Sequence, residues 1–141
     1  MARDAKIEGV IGRWAPRFVS NGVPLRDYQE VTESLKHWDD WCRVWAECAA
    51  VHEAMGRNAL EAGNTISAAQ HLDTAGVIYH FAKFVFVNDM DQLRTTHEKA
   101  VECRNLALPY LDPPGERVVI PYENSQLYGI LRKPADVNHP P

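Results

Sequence analysis

The chain has 141 residues, 15 basic and 19 acidic side chains, a formal net charge of -4 and 45% hydrophobic residues. That apolar fraction excludes a disordered chain and is enough for about one domain with its own core. The acidic balance argues against a nucleic-acid or anionic-membrane partner, since each needs clustered cations. The three cysteines, Cys42, Cys48 and Cys103, show no CxxC spacing. They form neither a disulfide framework nor a zinc motif, and they suit the reducing cytoplasm. The start, Met1 to Lys6, lacks the apolar run of a signal peptide. The best apolar run, Phe81 to Val87, contains Lys83 and is too short to span a bilayer.

The first segment, to about Asn21-Gly22, reads as weakly helical and broken by Pro16, with Trp14, Phe18 and Val19 as its apolar weight. Gly22-Val23-Pro24 is a breaker. A helix follows from about Asp27 to Lys36, carrying Tyr28, Val31 and Leu35 on one side. The clearest helix starts near Trp38. Trp38, Trp41, Trp45, Cys48, His52, Met55, Ala59 and Ala62 recur at alternating spacings of three and four, which is one helical face. Cys42, Ala49, Gly56 and Gly63 line the neighbouring stripe, where small side chains admit a close helix. Gly63-Asn64 stops it.

Ser67-Ala68-Ala69-Gln70 predicts a capping box for the next helix. Leu72, Ala75, Tyr79, Ala82 and Phe86 form one of its faces, and Val77, Phe81 and Phe84 a second. A helix apolar on two faces is central in its bundle. Asn88-Asp89 breaks it, and Asp91 or a neighbour caps a last helix to about Ala107. Leu111-Asp112-Pro113-Pro114-Gly115 is a loop. Arg117 to Tyr122 and Leu127 to Arg132 then read as two strands around a Glu123-Asn124-Ser125-Gln126 turn. The tail, Lys133 to Pro141, is predicted to hold no element. A lone hairpin is not stable in water, so this one either packs on the helices or opens a larger sheet.

No GxSxG nucleophile elbow, phosphate loop or HExxH motif is present. His52 sits on the tryptophan face, as a ligand, a base or, preferably, a core histidine with a satisfied hydrogen bond. His71 and His80 are about half a turn out of phase on one helix and cannot share a metal from it. Tyr79-His80 offers a hydroxyl and an imidazole to a pocket, or else a core ring and a rim imidazole. His37, His97 and His139 read as surface or boundary residues. Asp39 and Asp40 are first-turn acids that complement the helix dipole. The Trp38, Trp41 and Trp45 stripe is either plain core or an aromatic cage for a cation. Arg17-Phe18, after Pro16, is a candidate substrate-facing element.

Several of these stretches occur together in one family. They are Trp14-Ala15-Pro16-Arg17-Phe18, Gly22-Val23, the Trp38/Trp41/Trp45 helix, Gly63-Asn64 with Ser67-Ala68, Val119-Ile120-Pro121-Tyr122, and Leu127 to Pro134. In that order the chain resembles the N-terminal part of the 2,6-dihydroxypseudooxynicotine hydrolase family, related to FrsA-like and acylaminoacyl-peptidase-like α/β hydrolases. The resemblance implies a mainly α chain. Residues 1–110 would form an antiparallel helical cap domain. Residues 111–141 would form a linker and the first β-hairpin of an α/β-hydrolase core. It implies an enzyme that needs no cofactor and no metal, with its Ser, Asp and His triad downstream of Pro141. The activity implied is hydrolysis of a carbon–carbon bond next to a ketone in a dihydroxypyridine of nicotine catabolism, and this segment alone would be inactive. The implied partners are a small aromatic or pyridine substrate, the C-terminal hydrolase core and a second copy in a homodimer. No catalytic residue can be carried over. Arg17, Phe18, Tyr79, His80 and Phe84 are expected, by character, to face substrate. An esterase or acyl-peptide hydrolase cap is the alternative on this scaffold. A helical-repeat interaction module is the alternative outside it, although no period near 34 residues appears.

Overall fold

In the computed structural model, residues 3–134 and 137 are described. The predicted tail and His139 fall largely or wholly outside them. The helices are α1 (Ala5–Ser20), α2 (Leu25–Ser34), α3 (Trp41–Glu61), α4 (Thr65–Lys83) and α5 (Met90–Ala107). A 3-10 turn, Trp38–Asp40, precedes α3, and another, Leu108–Tyr110, follows α5. The strands β1 (Gly115–Tyr122) and β2 (Ser125–Arg132) pair antiparallel, with Val118 opposite Gly129 and Val119 opposite Tyr128.

Pro16 does not break the first helix, contrary to the sequence reading; it lies inside an unbroken α1. A helix-interior proline costs about 3 kcal/mol. Here the Asp4 side chain caps the start by accepting from the Lys6 amide at 2.9 Å. Ile7 and Phe18, on either side of Pro16, are both buried. Burying two such side chains returns roughly 1.5–3 kcal/mol each, which outweighs the loss.

Two helix boundaries also differ from expectation. The Ser67–Gln70 capping box does not form, because Gly63 turns the chain at φ 77 and it re-enters a helix at once. The Ala68 amide already bonds the Asn64 carbonyl at 2.9 Å, so Ser67 lies within the first turn. At the other end α4 stops at Lys83, earlier than Asn88. Phe84 is extended and Val85 has φ 57, which no α-helix accepts. Asp89 caps α5, its Oδ1 accepting from the amides of Asp91 and Gln92 at 3.0 Å each.

The tryptophan stripe is core at its start and leaves the core further along. Trp38, Trp41 and Trp45 are buried, whereas Met55 is 48% exposed. An alternating three-and-four spacing repeats every 3.5 residues against the helix's 3.6, so the stripe drifts by about 20° per heptad. Burial passes instead to Cys42, Ala49, Glu53 and Gly56. Leu72 of α4 crosses there, within 3.1 Å of where a Gly56 side chain would begin. Phe18 stacks on Phe81 at 4.0 Å, and the Trp41 indole donates to the Phe81 carbonyl at 3.3 Å. Helix α4 is therefore central, as its two apolar faces predicted.

The hairpin leans on the 3-10 turn after α5. Gly115 fits against Leu108, and Arg132 donates twice to the Pro113 carbonyl, at 2.9 and 2.7 Å. This sets β1 and β2 beside α4 and α5 and leaves a groove between them.

Candidate functional site

The groove has a volume of about 900 Å³. That is the size of a small-molecule site. Val77 and Phe81 of α4, Ala100 and Val101 of α5, and Ile130 of β2 give it apolar walls. Gly76 lets α5 approach closely, since a side chain there would begin 3.3 Å from the Ala100 carbonyl. The charged lining is cationic on balance, with Lys83, Arg104 and Arg117 against the single carboxylate Asp73, and His80 and His97 stand beside them. Arg104 ion-pairs with Asp73. Burial, then the nearby Arg132, lowers the pKa of Arg104. Arg117 lies over the Tyr128 ring, 4.3 Å from its centroid.

His80 stands at the rim, stacked on Phe84 at 5.9 Å and edge-on to Phe81 at 5.5 Å. Shielding by these rings, then the cations Lys83 and Arg17, holds its imidazole below the ordinary value. It is therefore neutral at pH 7 and can accept or donate a single hydrogen bond. Beside it, Phe84 packs on Trp14 at 4.9 Å. The Arg17 guanidinium lies over both rings, at 5.0 and 5.4 Å.

Three of the five expected substrate-facing residues, Arg17, His80 and Phe84, thus form one continuous surface. Phe18 lies in the core, packed on Phe81, Tyr28 and Trp45. Tyr79 points elsewhere because successive residues of a helix are about 100° apart. It is buried, and its hydroxyl donates to Glu53 Oε2 at 2.9 Å.

Glu53 is the centre of a cluster that sequence reasoning missed. Lys99 donates to its Oε1 at 3.0 Å and Arg57 at 2.8 Å. Burial alone would raise this carboxyl, but the hydrogen bonds from Lys99, Tyr79 and Arg57 outweigh it and the pKa falls. Burial first, then the bond to Glu53, drives the Tyr79 hydroxyl well above its ordinary value. An ionised Glu53 and a neutral Tyr79 make this a structural tie between α3, α4 and α5. The available clue was an acid on the small-residue stripe, four positions after Ala49 and three before Gly56.

His52 is satisfied as expected, though by partners on two other helices. Its Nε2 meets Asp27 Oδ2 at 2.7 Å, and its Nδ1 faces His71 Nδ1 at 3.3 Å. The ring centroids are 5.6 Å apart, so the two nitrogens lie nearly on the line between the rings. Among the described residues no group of three or more His, Cys, Asp and Glu is placed to hold a metal ion. No helix of the described residues is long and apolar enough to cross a membrane.

No family model and no curated protein matches the chain. Among solved structures it is similar to the crystal structure of the 2,6-dihydroxy-pseudo-oxynicotine hydrolase, with a TM-score of 0.77 and 22% identity over 89% of this chain. The two share a fold. The match covers 35% of that chain, so this sequence spans about a third of the hydrolase's length. The expected architecture, five helices followed by an antiparallel hairpin, is the one observed.

Proposed function

We propose that this chain is the helical cap and first β-hairpin of an α/β hydrolase. On this reading residues 1–110 cover an active site, and residues 111–141 begin the core that carries the Ser, Asp and His triad. The observation that carries it is the shared fold, at a TM-score of 0.77 with a hydrolase more than twice as long. The reaction is hydrolysis of a carbon–carbon bond next to a ketone on a hydroxylated pyridine, without metal or organic cofactor. The cap takes no chemical step. It excludes bulk water and holds a flat ring, with Arg17, His80 and Phe84 turned to the substrate and Phe18 and Tyr79 supporting them from within. A cytoplasmic homodimer belongs to the same proposal.

Two observations test it. The reading frame beyond Pro141 should encode a strand, a GxSxG elbow, and then Asp and His in that order. The protein it encodes should release a carboxylic acid from an acyl-pyridine ketone, and its elbow Ser→Ala variant should not. A frame that lacks the elbow defeats the proposal. Cleavage of esters or acyl-peptides, with ketones untouched, would move it to the esterase branch.

A further inference from the structure

We infer that the groove between α4, α5 and the hairpin recognises a flat aromatic ligand bearing a negatively charged oxygen. The inference rests on reading this groove as substrate-facing and adds the charge of what enters it.

The first observation is a local reversal of charge. The chain as a whole carries a net charge of -4. The groove lining has Lys83, Arg104 and Arg117 against Asp73 alone. Arg104 and Asp73 neutralise one another. The other two cations are unspent: among the described residues neither Lys83 nor Arg117 has a carboxylate within 4.0 Å. Arg17, next to His80, is likewise without one; its guanidinium rests on the Trp14 and Phe84 rings. Elsewhere Arg26 and Arg43 pair with acids on exposed helix faces, and Arg57 and Lys99 pair with the buried Glu53. A cleft with one sign of charge and low-dielectric walls focuses its field on the opposite sign.

The second observation is shape. The Arg117 guanidinium lies 4.3 Å from the centroid of the Tyr128 ring, which restrains it before any ligand arrives. Such a planar fork suits two oxygens of a carboxylate or an anionic ring oxygen. Val77, Val101 and Ile130 offer apolar surface for a ring body. A neutral His80 at the rim adds a single hydrogen bond.

The test is a chemical-shift titration of the 141-residue chain at pH 8, with benzoate against benzamide and 4-nitrophenolate against its methyl ether. Either anion should shift amides near Gly76, Lys83, Ala100, Arg104 and Gly129, and its neutral counterpart should not. Benzoate alone assigns a carboxylate, and nitrophenolate alone assigns a ring oxyanion; each supports the inference. Arg117→Gln and Lys83→Gln, both at the open side of the groove, should each weaken the bound anion by about fivefold and leave Tm unchanged. Arg94→Gln, on the outer face of α5, should do nothing. Neutral and charged probes binding equally, or shifts outside the groove, would overturn the inference. Because the readout is binding, it is separate from the hydrolase proposal. Anion binding without a downstream elbow leaves the groove standing, and ketone hydrolysis without anion binding removes it alone.

Discussion

Glycine to alanine has opposite signs at Gly56, where α3 crosses α4, and at Gly9 in α1. At Gly56 an added Cβ would lie 2.7 Å from Leu72 Cγ, 3.0 Å from the Leu72 amide nitrogen and 3.1 Å from Cδ2. Carbon atoms in good contact sit about 3.5–4.0 Å apart, so the shortfall is near an ångström. Leu72 is fully buried and has nowhere to turn, and its amide nitrogen moves only with α4 itself. Overpacking of this kind costs about 1–3 kcal/mol. A backbone contact belongs at the upper end. Replacing glycine in a helix interior returns about 0.8–1 kcal/mol. The sum for Gly56→Ala is a loss of about 1–2 kcal/mol, a fall in Tm of roughly 3–8 °C. At Gly9, in α1, an added Cβ meets nothing within 4 Å. Gly9→Ala should therefore keep only the propensity gain and raise Tm by about 2–4 °C. Thermal melts followed by circular dichroism at 222 nm measure both. A Gly56→Ala protein as stable as its parent would refute the close crossing as the reason this residue is glycine.

The Glu53 cluster predicts a dependence on pH. Its folded pKa is depressed, so its contribution is fully present above the ordinary glutamate value and is lost as pH falls through the folded one. Urea midpoints should drop between pH 7 and pH 3 by less in Glu53→Gln than in the parent, and parallel losses would contradict this. Tyr79→Phe should cost about 1.5–3 kcal/mol at pH 7, as loss of one hydrogen bond to a buried carboxylate; an unchanged urea midpoint would deny that bond. Val85→Gly should raise Tm, because a β-branched residue at φ 57 stores roughly 1–2 kcal/mol and Val85 is already half open to solvent. Burial pushes the Cys48 and Cys103 thiols up to about 11. Iodoacetamide at pH 8 should leave both unmodified in native protein and label them in urea, with mass spectrometry counting the adducts.

What could be read in the sequence was what obeys a local period. The start of the α3 face, the faces of α4 and the two strand runs each appeared close to their observed places. Pro16 misled because its penalty is local, whereas Phe18, the anchor that overrides it, is held by rings from α2, α3 and α4. The site follows the same division. His80 reads as a rim imidazole and Phe84 as part of the second apolar face of α4. Arg104, Arg117 and Tyr128 were not legible, because they meet only when the hairpin folds back along α5. Nor were the Glu53 cluster and the Asp27–His52–His71 link, each of which joins three helices.

The hairpin's own composition bears on what lies beside it. The pairing register puts Val118, Ile120, Tyr122, Leu127 and Leu131 on the face turned away from the groove, and Val119, Tyr128 and Ile130 on the other. An antiparallel ribbon with one solvated face alternates apolar and polar residues. Here Val118-Val119-Ile120 and Ile130-Leu131 run through both faces. Ile120 and Leu127, opposite one another, are each about half exposed. Strands apolar on both faces are those covered on both sides, and three or more strands or a packed helix are what make such a ribbon stable. The groove separates one face from α4 and α5, and its Val119, Tyr128 and Ile130 are as exposed as the residues of the other face. Such a ribbon has the character of a strand pair inside a larger fold, which supports the proposed hydrolase core. Charging the face turned away from the groove supplies the check: Ile120→Lys with Leu127→Glu should leave the Tm of the 141-residue chain nearly unchanged. In the longer protein the same pair should cost several kcal/mol, as burying charges within a sheet does.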